Sequence, residues 1–172
     1  MPVANASQHL QQLRRSGLVA SRRDGRHIVY SLADGPVIEV LSGLRRVAER
    51  NIAEVREIVA ACFGELDTFE PVSRMELKRR LRDDSVMVLD VRPRDEFDVG
   101  HVPGAINVPL TELDARLSSL PADREIVAYC RGPYCILAFE AVALLRARGF
   151  HVRRLEDGFP EWKAAGLKVE AA

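Results

Sequence analysis

Ile126-Val127-Ala128-Tyr129-Cys130-Arg131-Gly132-Pro133-Tyr134-Cys135 decides how the second half of this chain folds. The first four residues are a short, unbroken apolar run, the pattern of a strand buried on both faces of a parallel sheet. The run delivers a cysteine at its carboxyl end. A short loop follows, and then a helical stretch from Cys135 to Arg148 that Gly149 stops. Open α/β sheets bind ligands beyond the carboxyl ends of their strands, so position alone marks Cys130. If the loop curls with successive backbone N–H groups inward, those amides, the helix N-terminus and Arg131 favour thiolate over thiol. Pro133 has no N–H and leaves one gap in such a cradle. The expectation is a Cys130 of lowered pKa, nucleophilic toward a sulfane sulfur and able to hold a persulfide anion.

Outward from this stretch, Val86 to Val91 is a second apolar run, with Asp90 at its end, and His151 to Leu155 reads as a further strand. Helical stretches are expected at Met75 to Arg82, at Leu110 to Leu117 and around Pro160 to Ala165. The alternation gives an α/β unit with a mostly parallel central sheet. An acidic, proline-containing joint over Glu65 to Pro71 sets the boundary, dividing the chain into residues 1–66 and 67–172.

The run Leu89-Asp90-Val91-Arg92-Pro93, then Glu96-Phe97, Gly100-His101-Val102-Pro103-Gly104-Ala105 and Asn107 resembles the rhodanese homology domain. Gly158-Phe159-Pro160-Glu161-Trp162 with Ala165-Gly166 is similar to that family's closing signature. The resemblance implies a catalytic cysteine that takes sulfur from thiosulfate or a related donor and passes it to a nucleophile. Cys130 stands in that position, with Arg131, Gly132, Pro133, Tyr134 and Cys135 as the active-site loop. Phosphatases of this fold close a longer loop on an arginine six residues after the cysteine; here Ile136 occupies that place, so phosphate chemistry lacks its charge partner. Asp90 is either a strand-end cap or, as the family implies, a positioning residue beneath the loop, with Arg92 as its partner. His101 is expected to make structural hydrogen bonds, and Trp162 to anchor the core. Cys135 has two readings: a second redox thiol that attacks a Cys130 persulfide or sulfenate, or a small residue packing the helix start.

The front end is basic, with Arg14, Arg15, Arg22, Arg23 and Arg26 against the single acid Asp24 in the first 30 residues. A short helix from Ala4 to Arg15 carries Asn5, Ser7, Gln8, Gln11 and Gln12, able to reach base edges, with Arg14 and Arg15 for phosphates. Two short strands, Leu18 to Ala20 and His27 to Leu32, flank Arg22-Arg23-Asp24-Gly25-Arg26, whose Asp-Gly favours a hairpin with a basic tip. Helix, strand, basic hairpin, strand is the order of a winged helix-turn-helix. Asn5 to Leu10 through Leu13, Gly17-Leu18-Val19, Gly25-Arg26 and Tyr30 resembles the ArsR type of repressor, at its recognition helix and wing. That family has further helices upstream of the recognition helix, so the expectation is either a truncated start or a remnant retained as a dimerisation arm. From Val37 to Cys62 an apolar stripe predicts one long helix that seeks a partner, with Cys62 in its core face and a homodimer as the outcome.

The bulk properties agree with this plan. The chain has 172 residues and equal numbers of acidic and basic side chains, enough for two modest units. No apolar run approaches a membrane span and the first residues lack a secretory pattern, so a cytoplasmic protein is expected. Three cysteines without dense spacing point to reactive thiols in a reducing compartment, and no metal or other cofactor is expected. Two functions follow. One is a sulfur- or redox-responsive ArsR-type regulator, with thiosulfate or a persulfide as donor and a DNA operator as partner if the upstream helices exist. The other is a stand-alone sulfurtransferase whose front end only dimerises. A rhodanese-like binding module without catalysis is a third reading, which the presence of Cys130 disfavours.

Overall fold

The sheet forms where the sequence places its apolar runs. The computed structural model describes residues 3–33, 35–64 and 70–171. In chain order, α1 (Val3–Arg15) leads to β1 (Val19–Asp24), β2 (His27–Leu32), α2 (Gly35–Asn51) and α3 (Ala53–Phe63). The second half continues with α4 (Arg74–Arg82), β3 (Val86–Asp90), α5 (Arg94–Val99), β4 (Ile106–Asn107) and α6 (Leu110–Leu113). It ends with β5 (Glu125–Tyr129), α7 (Ile136–Ala147), β6 (Val152–Arg154) and α8 (Phe159–Ala164). The latter four strands are parallel in the order β4-β3-β5-β6. The chain reaches β4 on one side of β3 and β5 on the other, so the carboxyl ends of β3 and β5 form the switch-point crevice.

Alternation along β5 sorts the core into two layers. Ile126, Ala128 and Cys130 face Leu113 and the α7 residues Ala138, Ala141, Val142 and Leu145. Val127 and Tyr129 face Val72, Leu77, Val102, Leu155 and Trp162. Burial of each large aliphatic side chain contributes roughly 1.5–3 kcal/mol, and the covering of both faces explains why β3 and β5 read as unbroken apolar runs. At the amino-terminal end of β5, Glu125 pairs with Arg80 and with Arg153 at 2.6 Å, tying α4 and β6 to the sheet. Burial works against the Glu125 charge, but the two guanidinium groups outweigh it and hold its carboxyl below the usual value.

Several expectations need correction. The helix expected over Leu110 to Leu117 is α only to Leu113 and then tightens to a 3-10 helix over Asp114–Ser119. The long helix expected from Val37 to Cys62 is two helices, broken at Ile52, whose backbone is extended (φ −110, ψ 107). The break has local causes. Asn51 turns its side-chain amide onto the Val47 carbonyl at 2.8 Å, and Arg56 caps the Arg50 carbonyl at 2.8 Å. Cys62, expected in a core face, is exposed. The hairpin turn is only Gly25-Arg26, since Asp24 pairs with His27, so Arg22 and Arg23 belong to β1 rather than to the tip. Gly25 supplies the left-handed backbone this turn needs (φ +58). The expected boundary between residues 66 and 67 lies outside the described residues. No helix among the described residues is long and apolar enough to cross a membrane.

Candidate active site

Strand β5 ends at Tyr129, and Cys130 follows it with 1% of its surface exposed. The loop then runs over the top: Arg131 and Tyr134 are exposed, and Gly132, Pro133 and Cys135 half-buried. Its shape comes from three backbone contacts. Phe159 N–H donates to the Cys130 carbonyl at 3.0 Å, Cys135 N–H to Gly132 at 3.1 Å, and Ala138 N–H to Cys135 at 3.1 Å. Gly158 makes the loop possible by lacking a side chain, since a Cβ there would sit 2.2 Å from the Gly132 nitrogen.

The expected cradle is only partly formed. The Arg131 amide lies near enough to the Cys130 sulfur to favour the thiolate, but the Cys135 amide is spent on Gly132 within the loop. The Arg131 side chain turns to Glu96 on α5, its Nε lying 2.9 and 3.1 Å from the two carboxylate oxygens. That pairing raises the Arg131 pKa, and both Cys130 and Cys135 lie close enough to add to the effect. Burial pushes the Cys130 thiol up, the neighbouring Cys135 side chain adds to the rise, and the Arg131 amide only partly offsets it. The expectation of a lowered Cys130 pKa is therefore corrected. In this closed arrangement the surroundings of Cys130 disfavour its thiolate.

Asp90 and Arg92 sit at the neighbouring strand end. Asp90 is fully buried and Arg92 is 4% exposed. Arg92 Nε lies 3.0 Å from both Asp90 oxygens, its Nη2 2.6 Å from Oδ2, and its backbone N–H 2.9 Å from Oδ1. Burial disfavours the Arg92 charge, but the Asp90 hydrogen bonds and charge outweigh it and raise its pKa. Tyr129, which the sequence reading used only as part of an apolar run, joins this group. Its hydroxyl accepts from Val102 N–H at 3.1 Å and lies close enough to the Asp90 carboxylate to feel its charge. Burial, then the Asp90 charge, pushes its pKa far up. The pair thus meets the loop through Tyr129, next to Cys130 in the chain, and through Phe159, whose ring lies 4.4 Å from the Arg92 guanidinium carbon. His101 Nδ1–H donates to Phe97 O at 2.9 Å and the ring stacks on that of Phe97, and Trp162 donates to Lys168 O at 2.8 Å.

The sequence offered no sign of what covers the loop. Helix α2 turns Ile38, Ser42 and Arg45 toward it across a cavity of about 470 Å³, whose opposite wall is Arg131 to Cys135. Tyr134 donates its hydroxyl proton to Glu49 on α2. Its ring lies 6.0 Å from that of Phe63 on α3, which in turn stacks on Phe139 of α7 at 4.3 Å. Arg45 lies under 4 Å from Asp157, Glu161 and Glu49. The helical signal that could have revealed this face is the polar series Ser42, Arg45, Glu49 at helical spacing. Val40, Leu44 and Val47 on the same helix are each at least 60% exposed.

The residues expected at DNA lie far along the chain from this site. Asn5, Ser7, Gln8, Gln11, Gln12 and Arg14 are exposed, on the half of α1 opposite Ala6, Leu10 and Leu13. Arg14 ties α1 to β1 through Ser21 at 3.2 Å, Arg22 pairs with Asp24 at 3.0 Å, and Arg23 donates to Gly25 O at 3.2 Å. Arg26 stands exposed in the turn. Among the described residues no cluster of His, Cys, Asp or Glu could hold a metal ion.

Comparison with known proteins agrees with this anatomy. The model of the Rhodanese-like domain matches residues 73–165. An HTH-type transcriptional regulator of Mycobacterium tuberculosis, Rv0324, is 42% identical over 99% of this chain and 74% of its own length. A sulfurtransferase of Allochromatium vinosum is 33% identical over 55% of this chain and 89% of its own. The crystal structure of the Alr3790 protein from Anabaena superposes with a TM-score of 0.53 at 38% identity, covering 58% of this chain and 79% of that one. The chain belongs to the rhodanese-like domain family, in the arrangement that joins such a domain to an HTH-type regulator.

Proposed function

We propose that this protein is a sulfur-responsive transcriptional regulator in which Cys130 takes a sulfane sulfur from thiosulfate or a persulfide and the helices of the regulator half read the result. The observation that carries this reading is the contact between the active-site loop and α2–α3, through Tyr134, Glu49, Arg45 and Phe63. A donor entering the cavity beneath α2 meets residues 131–135 before it meets the buried sulfur. Reaching Cys130 therefore requires the loop to yield, and the loop is held by the helices. A persulfide adds one atom to a packed site and converts a neutral thiol to an anion, so the loaded and empty states differ in both volume and charge.

The exposed apolar stripe of α2–α3 then serves as the interface with a second copy. The polar half of α1 and the basic hairpin face an operator, phosphates taking Arg14, Arg22, Arg23 and Arg26 and base edges taking Asn5, Ser7, Gln8, Gln11 and Gln12. Asp90 and Arg92 act as positioning residues by fixing Tyr129 and, through Phe159, the base of the loop.

The test is intact-protein mass after anaerobic incubation of the reduced chain with thiosulfate or an inorganic polysulfide. The expected result is the gain of one sulfur atom in the wild type and none in Cys130→Ser. Equal sulfur uptake by Cys130→Ser, or none by either, overturns the reading. A steady-state thiosulfate turnover with DNA affinity indifferent to sulfur would instead favour a plain sulfurtransferase.

A further inference from the structure

Cys130 is not alone at the base of its loop. The Cys135 side chain lies close enough to it to push its thiol further up. Both cysteines are unbridged and both pack on the same apolar cluster over α7. Within the loop that joins them, Cys135 N–H closes a turn on Gly132 O at 3.1 Å. Arg131 lies close enough to feel a charge on either sulfur. A residue that merely packed the start of α7 would need neither the neighbouring sulfur nor the shared cation.

We propose, resting on the reading of Cys130 as a sulfur carrier, that Cys135 discharges the Cys130 persulfide as sulfide and leaves a Cys130–Cys135 disulfide. In the first step the Cys130 thiolate attacks the outer sulfur of thiosulfate. The S–S bond of the donor breaks, sulfite leaves with the electron pair, and Cys130 carries the sulfane sulfur. In the second step Cys135, as thiolate, attacks Cys130 Sγ, the sulfur it neighbours. The bond between Sγ and the sulfane sulfur breaks, and hydrosulfide leaves with that electron pair. The two protein thiols are oxidised by two electrons, the sulfane sulfur is reduced to sulfide, and their two protons end on sulfide and sulfite. No external oxidant is required, because the donor is the oxidant. Attack on the outer sulfur would only pass the persulfide to Cys135, whereas attack on Sγ yields a bridge that lasts until a dithiol reductant removes it. The bridge draws Cys135 inward to covalent distance, and Tyr134, its neighbour in the chain, moves with it.

The experiment uses the full chain in a Cys62→Ser background, which removes the exposed third thiol. Reduced protein is mixed anaerobically with thiosulfate or with inorganic polysulfide. Intact mass is followed in time beside Cys135→Ser and Cys135→Ala, and sulfide is counted in the thiosulfate arm. The expected course is a transient sulfur adduct that gives way to a species two hydrogens lighter than the starting chain. One sulfide appears per chain, and a peptide map joins Cys130 to Cys135. Both Cys135 variants stop at the adduct. An adduct equally long-lived with and without Cys135 overturns the role of Cys135 while leaving Cys130 a carrier. No Cys130-dependent adduct in any of the chains overturns both.

Discussion

Replacing Gly158 by alanine adds one methyl group at the point where α8 meets the active-site loop. That methyl would lie 2.2 Å from Gly132 N, 2.4 Å from the Arg131 carbonyl carbon and 2.5 Å from Gly132 Cα. All three are backbone atoms, so no side-chain rotation relieves the overlap, and an ordinary contact needs separations of roughly 3.5–4.0 Å. Loop and helix must move apart by more than 1 Å. Overpacking of this kind costs about 1–3 kcal/mol, and a clash confined to backbone belongs at the upper end. For a chain of this size, about 3 kcal/mol is a fall in Tm of roughly 6–12 °C. Sulfur uptake by Cys130 falls with it, because the displaced loop loses the Phe159 N–H bond to the Cys130 carbonyl. The comparison is Gly132→Ala, in the middle of the loop, where the nearest atom to the new methyl is Glu161 Oε1 at 3.9 Å. Calorimetry and the rate of sulfur uptake, measured on both variants, should show a large effect at 158 and a small effect on Tm at 132. Equal Tm values for Gly158→Ala and the wild type would refute the packing argument.

Arg92→Met leaves the Asp90 carboxylate buried without its partner and should cost about 3–5 kcal/mol, read as a lower urea midpoint. Alkylation should follow exposure, with Cys62 first, Cys135 next and Cys130 last; because the Cys130 pKa is raised, its rate should keep climbing through alkaline pH, as mass mapping would show. A plateau at neutral pH would contradict the raised Cys130 pKa. The folded-state pKa of Glu125 is depressed, so its contribution is present above the ordinary carboxyl value and lost as pH falls through the lower folded value. Glu125→Gln should therefore lower the urea midpoint at neutral pH, with a difference from wild type that shrinks in acid.

Much of the sulfur site was legible because it is built from short-range rules. An apolar run long enough for one buried strand, a cysteine at its end and a loop before a helix place Cys130 without any tertiary knowledge. Its electrostatics were not legible. The sequence gives Arg131 beside Cys130, but not that Glu96, 35 residues earlier, takes its guanidinium, nor that the Cys135 amide bonds Gly132 instead of the sulfur. Likewise Tyr129 reads as an apolar strand residue, although its hydroxyl takes the Val102 N–H and lies near the Asp90 charge. The apolar period from Val37 to Cys62 is real, yet period alone hides the break at Ile52, which depends on Asn51 and Arg56 competing for carbonyls at the end of α2. Nor does it say which face meets the loop. The inward face, Ile38, Ser42, Arg45 and Glu49, is mostly polar, because its partners are the charged residues Asp157 and Glu161 and the Tyr134 hydroxyl.

The central claim is that sulfur on Cys130 is felt by the helices above it, and amide hydrogen exchange tests it most directly. The measurement compares Cys135→Ser, which should hold the persulfide, before and after stoichiometric loading confirmed by mass, with Cys130→Ser treated alike. The account predicts faster exchange across residues 35–64 on loading, together with the loop, and no change in Cys130→Ser. Full sulfur loading of Cys130 with unaltered exchange in α2 and α3 would contradict it.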